Sequence, residues 1–280
     1  MGLFKPSILL SALTLAGCGS SDTPQSNLSV DITDAPATGV TAVNIHITSV
    51  ELKQNSDTFT FEINDTINLL TLQGSESTPL ISDVSLPEGQ YQYIRLALDL
   101  DQSNVHVGDT IHVLNIPSAN QSGLKLNSPF ILSANGNANF TLDFDVAKSL
   151  SLNSQGYQMR PTIRIVDNSV VSHIQGTVAA DILTSCDPAS VYVFDDDEDF
   201  SDMSETSGPI TSAIVSYNQE SQNYEYEIGF LESSAYKLYL VCGEDDPTVG
   251  DEAGVTTYSN NTITIEPNLT ATLNFEVASE

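Results

Sequence analysis

Phe140-Thr141-Leu142-Asp143-Phe144-Asp145-Val146 decides how this 280-residue chain is read. Apolar side chains stand at every second position, with polar ones between. Successive side chains of an extended chain leave opposite faces, so a period of two marks a β-strand with one face buried. Just before it, Asn135-Gly136-Asn137 reads as a hairpin turn, because Asn and Gly accept positive φ. Just after it, Ala147 to Asn153 has room for one helical turn, and Met159 to Val166 closes the segment. Asp143 and Asp145 fall on the polar side, so they are expected at the surface or paired with Arg160 or Arg164. As i, i+2 neighbours they meet the carboxyl spacing of ~5–9.5 Å that glycosidases use. Nothing in the adjoining sequence raises a pKa, so no catalytic role is assigned to them.

The same alternation runs outward in both directions. Leu28, Val30 and Ile32 alternate until Asp34-Ala35-Pro36 stops them. Val43, Ile45 and Ile47 alternate, then the phase slips by one to Val50 and Leu52, which predicts a bulge or a strand changing sheets. Phe59, Phe61 and Ile63 follow, then Tyr91 to Leu100, and Val105 and Val107 lead through Gly108-Asp109 to Ile111 and Val113. No stretch sustains a 3.6-residue apolar period, and strands at this spacing imply an antiparallel sandwich or barrel. After Asp167-Asn168-Ser169 the pattern restarts, with about seven short strands that suit a small sandwich. The expected class is all-β: two antiparallel β-sandwich domains in tandem, residues 27–167 and 171–280.

The other end of the chain concerns location. Lys5, the apolar run Ile8 to Ala16, and Leu15-Ala16-Gly17-Cys18 resemble a bacterial lipoprotein signal. The resemblance implies a signal peptide over residues 1–17, cleavage before Cys18, diacylglycerol on its thiol, and a tether over residues 18–26. Gly19 stands where an inner-membrane retention Asp would, so the same sorting rule implies the outer membrane of a Gram-negative cell. Two or three acyl chains hold firmly, at ~0.8 kcal/mol per buried methylene.

Charge and cysteines narrow the partners. There are 37 acidic and 8 basic residues, a net charge of −29. Nucleic acid and anionic headgroups both demand a basic surface and are excluded as partners. Salt relieves the self-repulsion, since the Debye length falls from ~10 Å at 0.1 M to ~3 Å at 1 M. Cys186 and Cys242 form an even pair in an exported chain and are expected as a disulfide.

Four constellations carry potential chemistry. Asp195, Asp197, Asp199 and Asp202 offer closely spaced hard oxygen ligands, which makes calcium the one candidate cofactor. They are no EF-hand, because Phe200 and Thr206 stand where Gly and Glu are needed. A second acidic loop, Glu244 to Glu252, follows Cys242 and comes near the first if the disulfide forms. Ser122-Gly123-Leu124-Lys125 spells Ser-x-x-Lys, but that chemistry needs one helical face and the surroundings read as turn and strand. Lys125 is therefore expected to pair with a carboxylate. His46, His106, His112 and His173 are assigned to solvated faces. Tyr217, Tyr224, Tyr226, Tyr236 and Tyr239 offer a sugar platform or cross-strand packing, and the absence of Trp favours packing.

Two resemblances complete the reading. Val30-Asp31-Ile32-Thr33-Asp34-Ala35-Pro36, Tyr93-Ile94-Arg95-Leu96, Ser122 to Leu126 with Pro129-Phe130, Leu142 to Ser149 and Arg160-Pro161-Thr162-Ile163-Arg164 resemble, in order, a bacterial lipoprotein domain of unknown function, family 4382. That implies an exported β-rich domain and assigns no site. Ile174-Gln175-Gly176-Thr177-Val178, Tyr224 to Ile228 and Tyr236-Lys237-Leu238 resemble a carboxypeptidase-regulatory, transthyretin-like sandwich. Its usual Asp-Gly is here Gln222-Asn223, and a usual Gly is Ala235. The function expected is a lipid-anchored, non-catalytic binding or scaffolding module of the envelope, with a glycan or protein ligand. The alternatives are an envelope hydrolase with an unrecognised site and a calcium-stabilised, adhesin-like stalk.

Overall fold

The computed structural model describes residues 24–277, apart from 36, 38, 118, 120–122, 155, 187, 201–207, 244–255 and 260–261. The first region comprises β1 (Gln25–Ala35), β2 (Ala42–Gln54), β3 (Asp57–Asn68), β4 (Thr78–Pro87), β5 (Gly89–Tyr91), β6 (Tyr93–Val107) and β7 (Thr110–Asn115). It continues through β8 (Leu124–Leu126), β9 (Phe130–Leu132), β10 (Asn137–Asp145), β11 (Leu150–Asn153), β12 (Gly156–Met159) and β13 (Ile163–Asp167). The second comprises β14 (Ser172–Val178), β15 (Ala189–Asp195), β16 (Thr211–Ile214), β17 (Ser216–Asn218), β18 (Asn223–Leu231), β19 (Ala235–Cys242), β20 (Thr256–Ser259), β21 (Ile263–Thr264) and β22 (Thr270–Thr272). Among the described residues helix is confined to single turns such as Val146–Ser149 and Ala180–Leu183. The fold is all-β.

In the first region the sheet β13-β10-β1-β4 faces the larger sheet β11-β12-β7-β6-β2-β3, to which β8 is added beside β6. The alternating side chains read from sequence fill the space between them. Leu28, Val30 and Ile32 of β1, Ile45, Ile47 and Val50 of β2, and Leu142 and Phe144 of β10 are all at 0% exposure. Each such side chain contributes roughly 1.5–3 kcal/mol by leaving water. The phase slip in β2 is a bulge, with both neighbouring ladders shifting register between Ile47 and Ser49. The extra residue keeps Ile47 and Val50 both inward despite their odd spacing.

Two features depart from the sequence reading. The sheets are mixed: β10 runs parallel to β1, β12 to β7 and β14 to β22. Asn135 does adopt positive φ, at 53°. Yet the turn there does not fold β9 onto β10, since β9 pairs with β5 and β10 with β1 and β13. The turn is tied to the start of β1 instead, Asn135 N donating to Gln25 O at 2.8 Å and Asn27 N to Gly136 O at 3.0 Å. A local turn signal fixes the bend, while the hydrophobic faces of the strands decide which partner each one finds.

A separate cluster of buried residues, from Ile174 to Phe275, fills the space between β17-β18-β14-β22 and β16-β15-β19-β20, with β21 added beside β19. Gly176 is obligatory there, because a Cβ at that position would run into the Leu273 carbonyl oxygen of the neighbouring chain. Cys186 and Cys242 form the expected disulfide, with 56 residues of separation. Closing a loop of that size removes about 4 kcal/mol of unfolded-chain entropy. Replacing both cysteines by serine should lower the urea-unfolding free energy of the second region by about that amount, with a steeper transition because the unfolded chain is no longer cross-linked.

Candidate functional site

The parallel register of β1 and β10 sets Thr33 beside Asp143, Asp34 beside Phe144 and Ala35 beside Asp145. Three carboxylates therefore gather where both strands end. All three are buried: Asp34 is 4% exposed, Asp143 6% and Asp145 8%. This corrects the outward placement expected for Asp143 and Asp145. One face of β10 lies on the first core, and at this end the other face is covered by Thr211, Ser212 and Phe230 of the second region.

Each acid has a distinct setting. Asp143 lies opposite Arg164 of β13 and accepts from its Nε at 2.6 Å, one of the two pairings foreseen. Asp145 caps the Val146–Ser149 turn, accepting from Lys148 N at 2.9 Å, with Lys148 Nζ 3.4 Å from its other oxygen. Asp34 Oδ1 accepts from Val146 N at 3.1 Å, while Asp34 Oδ2 has no hydrogen-bond partner among the described residues. Burial pushes all three carboxyls above the usual range. Arg164 pulls Asp143 back and Lys148 pulls Asp145 back. Asp34 is pushed well above that range, by burial and then by the Asp143 charge, without a cation of its own.

The seam between the two regions is closed around these acids. Thr33 Oγ1 donates to Leu72 O (3.1 Å) and Glu76 O (2.7 Å), and Asp34 N donates to Leu72 O (2.9 Å). The loop so held presents Gly74 to Gly229 of β18. A Cβ on Gly229 would strike the Gly74 carbonyl oxygen, so the two backbones touch only because Gly229 lacks a side chain. Phe230 beside them takes φ 55°. Lys148 Nζ crosses the seam to Pro209 O.

Outside the seam the same loop walls a cleft of 410 Å³. Its floor is the outer face of β18-β14-β22. One cross-strand row carries Glu227, Gln175 and Thr272, and the next carries Ser216, Glu225 and Thr177 beside Asn274. Gln73 completes the wall. Ser221 Oγ and Asn218 Nδ2 both donate to the Glu225 carboxylate and hold it below its usual range. A second cleft of 410 Å³ lies by Lys125, Asn127 and Pro161.

The other sequence candidates are placed as follows. Asp195 ends β15. Asp199 accepts from Tyr239 OH (2.5 Å) and Lys237 Nζ (3.1 Å), and both hold it ionised. Asp202 and the Glu244 to Glu252 loop lie outside the described residues, as do Cys18 and Ser122. Among the described residues no three Asp, Glu, His or Cys side chains converge as metal ligands. The acidic loop is instead anchored by Phe200, buried against Tyr192, Phe194 and Tyr239. Lys125 sits 4.1 Å over the Tyr93 ring rather than on a carboxylate. His46 is buried, not solvated, with Nδ1 2.7 Å from Thr66 Oγ1. Tyr226 and Tyr236 are packing residues whose hydroxyls donate to Leu273 O and Glu232 O, and burial pushes Tyr236 up to about 12. Tyr217 and Tyr224 pack edge to face across strands. The sequence reading missed Asp34, which it used only as a strand stop, and it missed Gly229. The signal for Asp34 was an acid directly following a strictly alternating strand.

A family model described as "Domain of unknown function (DUF4382)" matches residues 25–161. No curated protein matches the chain. Among solved structures, similarity extends to a leucine-rich repeat protein from Bacteroides thetaiotaomicron VPI-5482, at 10% identity over 91% of this chain and 26% of that one, TM-score 0.25. It extends to the Bacillus anthracis TIE protein, at 10% identity over 90% and 34%, TM-score 0.19. A fimbrial protein from Bacteroides ovatus ATCC 8483 matches at 8% identity over 91% and 49%, TM-score 0.19. The chain thus spans between a quarter and a half of these proteins' lengths, and at such TM-scores none of them bears on its function.

Asp34 generates a pH signature with a definite sign. Its folded pKa is raised, so its contribution is complete below the unfolded carboxyl value and is lost as pH climbs through the folded one. Above pH ~4 the unfolding free energy of the wild type should therefore fall relative to that of Asp34→Asn. Paired urea titrations from pH 4 to 8 at one ionic strength check this, and parallel curves would refute it.

Proposed function

We propose that this chain, whose residues 25–161 are a DUF4382 domain, is a non-catalytic glycan-binding module held on the cell envelope by lipid at Cys18. The observation that carries the binding assignment is the floor of the seam cleft. Carboxylate, amide and hydroxyl side chains stand there in two adjacent cross-strand rows. Planar groups of this kind engage neighbouring sugar hydroxyls in pairs, accepting and donating at once. Gln175 lies at the centre, between Glu227 and Thr272.

The same floor argues against hydrolysis. A glycosidase needs one carboxyl kept protonated near neutral pH. Glu225 is shifted the opposite way by Ser221 and Asn218, and it stays ionised. In the buried trio, Asp143 and Asp145 are occupied by Arg164 and Lys148. No helix among the described residues is long and apolar enough to cross a membrane. The envelope assignment rests on the lipoprotein-like signal ahead of the first strand, and the second region is read as the transthyretin-like partner of the first.

A glycan array probed with the detergent-solubilised chain tests the ligand class. Retention by a restricted set of glycans is expected, and Gln175→Ala should weaken it about tenfold, the worth of one or two lost hydrogen bonds. No retained glycan, or retention indifferent to Gln175, would overturn the reading in favour of a protein ligand. In cells, Cys18→Ser should move the protein from the membrane fraction to the soluble one.

A further inference from the structure

We propose that the seam between the two regions holds one monovalent alkali cation, of sodium size, beside Asp34. Three independent observations converge on it. The first is charge. Among the described residues Asp34, Asp143 and Asp145 have only Arg164 and Lys148 for counter-charges, so with all three acids ionised the seam is one positive charge short. The second is the unpartnered Oδ2 of Asp34, a buried carboxylate oxygen whose twin is already bonded. Buried charge without a counter-charge is costly, so such an atom marks a place where something binds. The third is a small cavity at that place. Its volume is 10 Å³, and Thr33, Asp34 and Asp143 line it on one side, Thr211, Ser212 and Gly229 on the other. About one water-sized sphere fits in such a volume.

The lining selects the class of ion. Carboxylate, hydroxyl and carbonyl oxygens are the ligands of hard cations. Among the described residues Asp34, Asp143 and Asp145 do not come together as a set of metal ligands, and one missing charge calls for a single positive one, so a divalent ion is disfavoured. The charges that act on Asp34 are those of Asp143 and Asp145 of β10, which are themselves held by Arg164 of β13 and Lys148 of the helical turn; across the seam Thr211, Ser212 and Phe230 are uncharged. A proton on Asp34 and a cation beside it are therefore competitors for one position. The cation occupies it once Asp34 ionises.

Thermal melting of the full chain in detergent, at fixed total salt, tests the site with the ion itself. Sodium chloride is exchanged stepwise for choline chloride at pH 8, with lithium and potassium as size controls. Sodium at a hundredfold excess over its dissociation constant should raise Tm by on the order of 5 °C over choline. Lithium and potassium should fall between the two. The difference should vanish at pH 4 and in Asp34→Asn, and it should shrink in Ser212→Ala, which keeps the acid cluster intact. The acidic surface responds to all cations alike, and it does so equally in Asp34→Asn, so it cannot mimic this pattern. Equal melting in sodium and choline at pH 8, or an equal sodium effect in Asp34→Asn, would overturn the proposal and leave a proton as the occupant.

Discussion

The parallel pairing of β1 with β10 is the constraint on which the rest of the structure depends. A hairpin would have brought the start of one strand to the end of the other. Parallel register instead brings like ends together, and here both ends are acidic. Asp34, Asp143 and Asp145 consequently share one corner of the first core, and the chain's few cations are drawn to it. Of eight basic residues in 280, Arg164 and Lys148 stand here. In a protein with a net charge of −29, such use of scarce positive charge makes this corner a built feature.

Buried ion pairs of this kind add little net stability, because desolvation consumes most of the Coulombic gain. What they contribute is position. Arg164 ties β13 to β10, and Lys148 reaches from the helical turn to the carbonyl of Pro209 in the second region. The Thr33 hydroxyl and the Asp34 amide pin the Leu72–Glu76 loop to the same corner. Gly74 of that loop then lies backbone to backbone on Gly229, leaving no depth for a side chain. The two hydrophobic cores are distinct, but the polar corner of the first is what the second is packed against.

Much of this was legible in the sequence, and what was not has a physical reason. Strand existence follows from side-chain alternation, which is local, so Phe140 to Val146 and Leu28 to Ile32 were plain. The phase slip in β2 was equally plain, and of its two readings, a bulge or a strand changing sheets, the register shifts between Ile47 and Ser49 select the bulge. The Cys186–Cys242 pair followed from counting. Pairing partners were not legible. Asn135-Gly136-Asn137 codes a bend, and nothing near it states that β10 will lie parallel to a strand more than a hundred residues away. The burial of Asp143 and Asp145 was hidden for the same reason. Alternation tells which residues share a face, and it does not tell whether a second region covers that face. Glu225, Gln175 and Thr272 were invisible as a group because they come from three strands that meet only in the folded sheet.

The seam and the cleft are not separate features, since Gly74 lines both. The loop that carries it is held from behind by Thr33 and Asp34 and forms, in front, one wall of the polar floor of β14 and β18. Two sites that share a structural element are thermodynamically linked whenever occupancy of one changes the freedom of that element. A loop fixed by an electrically balanced seam pays its ordering entropy before any ligand arrives, and a preorganised wall leaves more of the contact energy for binding. An unbalanced Asp34 acts in the opposite direction, because its charge, with neither a proton nor a cation beside it, is relieved by opening the seam to water. The register of two strands thereby reaches, through one acid and one glycine, to the surface on which a ligand would rest.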